Sequence, residues 1–211
     1  EGSYLPIGSD QCQPCAAGSF SLGGGVRISR WDEWPTQIAT QTFCTNDPRA
    51  SPTDRNCTAW QLNGTSVNSG YLGDNSKSYL EMSFVLVRAG HLTFNFKQDT
   101  EVYYDYMTVF VDGNKVYSAR GVGLSWTTAT IPLTGGPHSL YFNFEKDFSR
   151  SWGKDMVEIK MIEIEGLSYA DSSCSLCHPG TYSNQGSTEC SPCPENTVST
   201  SFGAEACMDC P

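Results

Sequence analysis

Between about residues 79 and 164 the sequence alternates short apolar runs with polar turn signals. Several runs alternate strictly between apolar and polar positions, and others are rich in β-branched and aromatic residues, both of which are typical of β-strands. The runs are 79–87, 91–96, 104–111, 126–132, 139–144 and 156–164, with a further short strand expected near 115–119. Turn-forming clusters such as Asp112-Gly113-Asn114 separate them. Helical periodicity is not sustained.

This pattern predicts an all-β domain. Five to eight strands in a length suited to one core favour a two-sheet antiparallel sandwich of the jelly-roll type. We place the sandwich at residues 24–168, as an insertion between cysteine-rich segments at 1–23 and 169–211. Trp126 lies within one of the predicted strands and is expected in the core.

The flanking segments repeat one short motif that opens with a cysteine. A cysteine is followed three residues later by Gly or Asn and two residues after that by an apolar side chain, and a second cysteine closes the unit. Gly supplies the positive φ that so tight a loop needs, and Asn tolerates it best among the other residues. If each unit closes on itself, the disulfides are Cys15–Cys174, Cys177–Cys190 and Cys193–Cys207, and the remaining pair inside the insert is Cys44–Cys57.

Two cysteines are left over by this scheme. Cys12 and Cys210 are expected to pair with cysteines outside the chain, so that the chain is a segment of a longer repeat protein and its neighbouring repeats are its partners. The alternative interpretation takes the four Cys-x-x-Cys pairs as zinc sites. It leaves Cys44 and Cys57 unexplained, whereas an oxidising compartment accounts for all ten thiols.

The location predicted from the cysteines agrees with two glycosylation sequons, at Asn56 and Asn63. Together they predict a glycoprotein that is extracellular, at the cell surface or in the endolysosomal lumen. A net charge of -10 and a pI near 4.6 argue against a nucleic acid or an anionic membrane surface as partner, because both need a basic face. No apolar run approaches membrane-spanning length, so we expect no membrane insertion by this segment.

Three stretches together carry a resemblance to a known family: 18–27 with Trp31-Asp-Glu-Trp-Pro35, the predicted sandwich, and 174–183. In this order they resemble the ectodomain of the endosome/lysosome-associated apoptosis and autophagy regulator family. The resemblance implies ephrin-receptor-like (GCC2/GCC3) cysteine repeats in a type I membrane glycoprotein without an established enzymatic activity. The string from Tyr104 to Gly113 is also similar to jelly-roll modules of extracellular adhesive and carbohydrate-binding proteins.

No catalytic constellation is evident in the sequence. His91, His138 and His178 are isolated from any plausible nucleophile, and each is expected at the surface or at a strand end. The run Gly23-Gly24-Gly25 is interpreted as a linker rather than a phosphate loop. We therefore expect a non-enzyme.

The strand order nevertheless predicts one binding site. If the strands alternate in direction, loops 98–103 and 147–155 lie at the same end of the sandwich. Clustered carboxylates on such loops suit Ca²⁺, and the expected ligands are Glu101, Asp105, Asp147 and Asp155. Tyr103 and Trp152 are expected to stack on a sugar face beside them. The alternative is that these acids are solvated and pair with nearby lysine and arginine side chains.

Two functions fit these features. The first is a non-catalytic module whose sandwich binds a glycan or protein ligand while the disulfide-bonded repeats form a rigid stalk. The alternative is a structural subunit that self-assembles into an extracellular filament or coat, for example a ciliary or flagellar surface appendage.

Overall fold

The computed structural model describes residues 1–46, 57–148 and 153–210. These residues form nineteen β-strands and no helix, so none of the described segments is a helix able to cross a membrane. The all-β prediction is confirmed. In chain order the strands are β1 (Ser3–Tyr4), β2 (Gln13–Pro14), β3 (Ser19–Phe20), β4 (Gly25–Ile28), β5 (Ala39–Asn46), β6 (Gln61–Leu62), β7 (Val67–Asn68), β8 (Ser76–Leu86), β9 (Gly90–Asp99), β10 (Tyr106–Val111), β11 (Asn114–Arg120), β12 (Val122–Leu133), β13 (Gly136–Glu145), β14 (Met156–Glu165), β15 (Ser175–Leu176), β16 (Thr181–Tyr182), β17 (Ser191–Pro192), β18 (Thr197–Val198) and β19 (Met208–Asp209).

The chain divides into two compact units. One consists of 1–26, 86–90 and 164–211, and the other of 27–85 and 91–163. The boundaries predicted from the sequence, at 23/24 and 168/169, stay predictions.

The strands β4 to β14 form a sandwich of two sheets. The five-stranded sheet has the order β11-β10-β13-β8-β5, and the six-stranded sheet has the order β12-β9-β14-β7-β6 with β4 also paired to β14. Antiparallel pairs occur in both sheets, for example β5 with β8 and β7 with β14, and β10 is joined to β13 from Tyr106↔Glu145 to Val111↔Leu140. A jelly-roll-type sandwich is therefore confirmed.

The core lies between the two sheets because the long strands alternate in sequence. In β8 and β9 every second side chain is buried, and β13 buries Leu140, Phe142 and Phe144 in the same way. The ring of Phe142 meets that of Phe94 edge to face, with centroids 5.2 Å apart. Such contacts add to the hydrophobic stabilisation, and they fix which face of each strand points outward.

Two differences from the sequence-based expectations concern this domain. No strand was predicted between Cys44 and Tyr79, but this stretch contains β7, which pairs with β14, and a fully buried Val67. Trp126 was expected in the core, but it lies on the outside of β12 and is 38% exposed. The buried residues of β12 are Ala129 and Leu133, and Trp126 has the opposite parity along the strand.

Disulfides close the two repeats that follow the insertion. Cys177 is bonded to Cys190 and Cys193 to Cys207, with Cα–Cα distances of 5.7 Å in both. Two-stranded antiparallel pairs accompany the repeats, namely β1 with β2, β3 with β15, β16 with β17 and β18 with β19. Units this small cannot build a hydrophobic core, so disulfides and backbone pairing hold them together.

The same backbone hydrogen bond joins successive repeats. The carbonyl of the positive-φ residue in one repeat accepts a hydrogen bond from the N–H of the next repeat's first cysteine, at 2.9 Å in every case. The pairs are Cys15 to Gly2, Cys177 to Gly18, Cys193 to Gly180 and Cys210 to Asn196. Gly18 also permits close backbone approach, because a Cβ there would lie 2.1 Å from the carbonyl oxygen of Gly203.

Candidate functional site

The acidic residues expected at one end of the sandwich do meet there. Asp105 precedes β10 and Asp147 follows β13, and strand alternation brings these two chain positions to the same edge. Asp105 is fully buried, and its Oδ1 accepts a hydrogen bond from the backbone N–H of Asp147 at 2.9 Å. This bond ties the segment after β9 to the segment after β13.

Three of the four predicted metal ligands come together at this edge, which we call the acidic end. Glu101, Asp105 and Asp147 each offer a carboxylate oxygen within 4.8 Å of the others. The Glu101 Oε2 and Asp105 Oδ2 atoms are buried and have no hydrogen-bond partner among the described residues. Carboxylates this close repel one another unless a proton or a cation lies between them. The donor set is the one that a hard cation such as Ca²⁺ prefers, with further oxygens supplied by backbone, water or ligand.

The fourth predicted ligand, Asp155, lies against a buried lysine. Lys146 is 2% exposed, and its Nζ lies 3.4 Å from Asp155 Oδ2, 3.7 Å from Asp74 Oδ1 and 3.9 Å from Asp105 Oδ2. Burial lowers the pKa of Lys146, but the attraction of Asp105 and Asp155 outweighs it, so the net pKa is raised. Lys146 is therefore a fixed ammonium ion that partly neutralises the acidic end.

Opposing interactions set the pKa of the Asp105 carboxyl group. Burial raises its pKa to about 6, helped by the charges of Asp155 and Asp147 and opposed by the Asp147 N–H and the Lys146 ammonium. A buried acid with an unpartnered oxygen accepts a proton or a cation readily. Sequence reasoning placed Asp105 at this end but did not predict that Lys146 is buried beside it.

Exposed aromatic side chains lie close in sequence to the residues of the acidic end. Tyr103 is 71% exposed, as expected for a residue that stacks on a ligand. Tyr104 and Phe148, at 55% and 73%, are equally open, and neither was singled out from the sequence because Tyr104 was assigned to a strand that begins only at Tyr106. Trp152 lies outside the described residues.

The other predicted residues are placed as follows. Disulfides join Cys15 to Cys174 and Cys44 to Cys57, in addition to the two within the later repeats, while Cys12 and Cys210 are exposed free thiols. Asn63 is exposed, and its Oδ1 accepts a hydrogen bond from the backbone N–H of Ser66 at 2.8 Å. Asn56 lies outside the described residues.

His138 lies near the start of β13 and is buried, so it is not a surface residue. Its Nδ1 lies 2.7 Å from Asp112 Oδ2, and its Nε2 lies 2.8 Å from the Thr134 carbonyl oxygen. Both ring nitrogens face acceptors, so the geometry suits a doubly protonated imidazolium rather than a base aimed at a nucleophile. His178 instead packs edge to face against Phe202.

Comparisons with known proteins agree with this architecture. The sequence profile of the family described as "ELAPOR1-like, galactose-binding domain" matches residues 25–168, and that of "Tyrosine-protein kinase ephrin type A/B receptor-like" matches 167–211. The endosome/lysosome-associated apoptosis and autophagy regulator family member 2 of Homo sapiens is 30% identical over 99% of this chain and 21% of its own length. Endosome/lysosome-associated apoptosis and autophagy regulator 1 of Homo sapiens is 29% identical over 94% of this chain and 20% of its own length.

Among solved structures, the K1 cleaved adhesin domain of Lys-gingipain from Porphyromonas gingivalis W83 is 17% identical, with a TM-score of 0.45, over 69% of this chain and all of that domain. The chain spans about a fifth of the length of the curated relatives that it matches. Since the galactose-binding-domain profile covers the whole sandwich and the repeat profile the segment after it, the chain belongs to the endosome/lysosome-associated apoptosis and autophagy regulator (ELAPOR1-like) family.

Proposed function

We propose that this chain is a non-catalytic glycan-binding module of an extracellular or luminal glycoprotein, with Ca²⁺ bound at the acidic end of the sandwich. One observation carries the proposal: Glu101, Asp105 and Asp147 converge within 4.8 Å, and the buried Glu101 Oε2 and Asp105 Oδ2 atoms lack hydrogen-bond partners among the described residues. The description of the matching family, a galactose-binding domain, supports the choice of a sugar as ligand.

The chemistry of a protein-bound calcium ion fits a sugar ligand. Ca²⁺ takes six to eight oxygen ligands, and three carboxylates leave positions that sugar hydroxyls can fill. The exposed rings of Tyr103, Tyr104 and Phe148 adjoin these carboxylates in sequence and offer apolar faces on which a pyranose can stack. A cation and an aromatic platform side by side would both bind and orient a sugar.

The location part of the proposal rests on the disulfides and on glycosylation. Four disulfides are stable only in an oxidising compartment. Asn63 is exposed on the sandwich, where a glycan can be accommodated. The absence of a catalytic role is supported by His138, whose ring nitrogens both lie against acceptors.

Calorimetry with Ca²⁺ tests the proposal. Wild-type protein should release or absorb heat with Ca²⁺ in the micromolar to millimolar range, and its melting temperature should fall in chelator. Asp105→Asn keeps the shape of the side chain but removes a charge, so it should weaken Ca²⁺ binding by at least about tenfold. Asp32→Asn is the matched control, because Asp32 is exposed and solvent screens its ion pair with exposed Arg30 at 3.1 Å. No heat with Ca²⁺, together with a melting temperature that chelator leaves unchanged, would remove the calcium site.

A further inference from the structure

Strand β12 is the longest of the strands that lie at the edges of the sandwich. It spans Val122–Leu133 at the end of the six-stranded sheet, and β9 is the only described strand that pairs with it. The backbone N–H and C=O groups on the other side of β12 therefore have no strand partner in the part of the chain that the structure describes. Such a row of free groups is a template on which another strand can pair.

The usual devices that keep edge strands apart are missing from the first half of β12. Proteins shield an edge with charged side chains, with proline or by keeping the strand short. The stretch from Gly121 to Thr134 has no charged residue, and its one proline, Pro132, lies near the end of the strand. The other edges are better shielded, since β6 has two residues, β11 carries Lys115 and Arg120, and a disulfide joins Cys44 of β5 to Cys57.

The same half of β12 presents exposed apolar side chains on one face. Val122, Leu124 and Trp126 are two residues apart, so they share the outer face of the sheet, and Leu124 is the most open of them at 66%. Val102 is also exposed and adjoins the start of the strand, because a Cβ on Gly121 would lie 3.6 Å from the Val102 Cα. Contiguous exposed apolar side chains of this kind mark an interaction surface.

The charged groups around these side chains lie on the strands behind β12. The Nζ atoms of Lys97 and Lys160 lie 4.8 and 5.7 Å from the ring centroid of Trp126, and Lys97 is also paired with Glu158 at 3.2 Å. Asp99 shares the face of Lys97 on β9. All four belong to β9 or β14, so β12 separates them from its free edge. Since the chain carries a net charge of -10, copies of it repel one another, and an uncharged edge is where they can meet without this penalty.

We infer that the free edge of β12 pairs antiparallel with β12 of a second copy of this chain, which joins the two six-stranded sheets into one. A two-fold contact requires a self-complementary surface. With Leu124 opposite its own copy, Val122 of each chain lies opposite Trp126 of the other, so six apolar side chains gather on one face. Arg120 and Thr128 bound the apolar set on either side, which favours this register over its neighbours. The inference is independent of the proposed glycan-binding function.

Sedimentation equilibrium tests the pairing. The full chain with Cys12→Ser and Cys210→Ser lacks the two exposed thiols that would otherwise link copies, and it should form a dimer that dissociates on dilution. Adding Leu124→Lys places two ammonium ions opposite each other at the two-fold axis, so dimerisation should weaken by about tenfold or more. Thr130→Lys is the matched control, because exposed Thr130 lies on the same face of β12 but outside the paired segment. This control should dimerise like its background.

Disulfide trapping tests the register. Residues directly opposite in an antiparallel pair have Cα atoms about 4.5–5.5 Å apart, which a disulfide can span. In the same background, Leu124→Cys should oxidise to a covalent dimer, and peptide maps without reduction should link position 124 to itself. Thr130→Cys should stay unlinked, since no residue of the second strand faces its own copy there.

Three results would overturn the inference. The first is a background protein that stays monomeric at about 100 µM, as it would if the edge takes an extended segment of another protein instead. The second is dimerisation that Leu124→Lys leaves at the strength of the background. The third is trapping through Thr130→Cys but not through Leu124→Cys. If Leu124→Lys does not fold, the trapping result decides. None of these results bears on the calcium titration, so failure of the pairing leaves the proposed function standing.

Discussion

Replacing Lys146 with Met removes the buried ammonium ion of the acidic end while keeping most of the side chain's volume. Lys146 lies within 4 Å of Asp74, Asp105 and Asp155, and two of these three acids are themselves buried. One attraction at about 4 Å and an effective dielectric constant near 20 is about 4 kcal/mol before desolvation is subtracted. Removing one partner of a buried pair costs about 3–5 kcal/mol, because uncompensated charge stays behind. We expect the melting temperature to fall by about 6–20 °C.

The matched control is Lys77→Met. Lys77 also forms an ion pair, at 2.9 Å to Glu145, but its side chain is 40% exposed and solvent screens the attraction. This substitution should lower the free energy of unfolding by about 1 kcal/mol or less. Thermal unfolding followed by near-ultraviolet circular dichroism compares the two variants with wild-type protein. Equal losses in the two variants would refute the view that Lys146 compensates buried charge.

The pH dependence gives a second check on Lys146. Asp105 has a pKa raised to about 6, above its unfolded value, so its protonation stabilises the fold as pH falls through 6 toward 4. Without Lys146, which opposes this rise, the pKa of Asp105 is higher still, and the carboxyl group is neutral at about pH 5. The Lys146→Met deficit should therefore be smaller at about pH 5 than at about pH 7.5. A deficit that grows on acidification contradicts this reasoning.

Two further predictions concern His138 and the disulfide across the insertion. Burial lowers the pKa of His138, but the Thr134 carbonyl and Asp112 outweigh burial, so the net pKa is raised. Protonated His138 therefore stabilises the fold fully below about pH 6.5, and this stabilisation is lost as pH rises through the raised pKa. In denaturant titrations, His138→Gln should thus lower the free energy of unfolding by about 1–2 kcal/mol at about pH 5.5 and by less at about pH 8.5. A loss that is independent of pH would contradict the view that His138 is an imidazolium ion in the folded protein. The Cys15–Cys174 bond closes a loop with a sequence separation of 159, for which chain entropy gives about 5 kcal/mol. The double Ser variant should lose cooperative unfolding of the repeats, whereas peptide maps without reduction that link other cysteines would contradict the pairing.

The sequence was sufficient to predict a strand and its inward-facing residues where one face of the strand is buried. The alternation in 139–144 predicts β13 and its inward rings, because a period of two decides which side chains enter the core. Strand β5 escaped prediction, because its run Ala39–Asn46 is mostly polar and both faces of this edge strand are partly exposed. The position of Trp126 was mispredicted although the parity of Ala129 and Leu133 already pointed it outward.

The candidate sites depend on contacts that no local pattern encodes. Glu101, Asp105 and Asp147 could be brought to one end by counting strand directions. The burial of Lys146 could not be predicted in this way, since it depends on contacts with Asp74 and Asp155, which belong to two other segments.

The repeats show how a sandwich can be inserted without disturbing them. Cys15 and Cys174, the two cysteines that flank the insertion, have Cα atoms 5.8 Å apart, against 5.7 Å in the uninterrupted pair Cys177–Cys190. The bond from the Cys177 N–H to the Gly18 carbonyl is 2.9 Å long, as in the uninterrupted repeats. Insertion is tolerated where chain ends lie close together, and a disulfide-closed loop provides such ends. The glycines and cysteines that join the repeats are therefore fixed by backbone geometry that does not depend on the side chains at the outer surface of the sandwich.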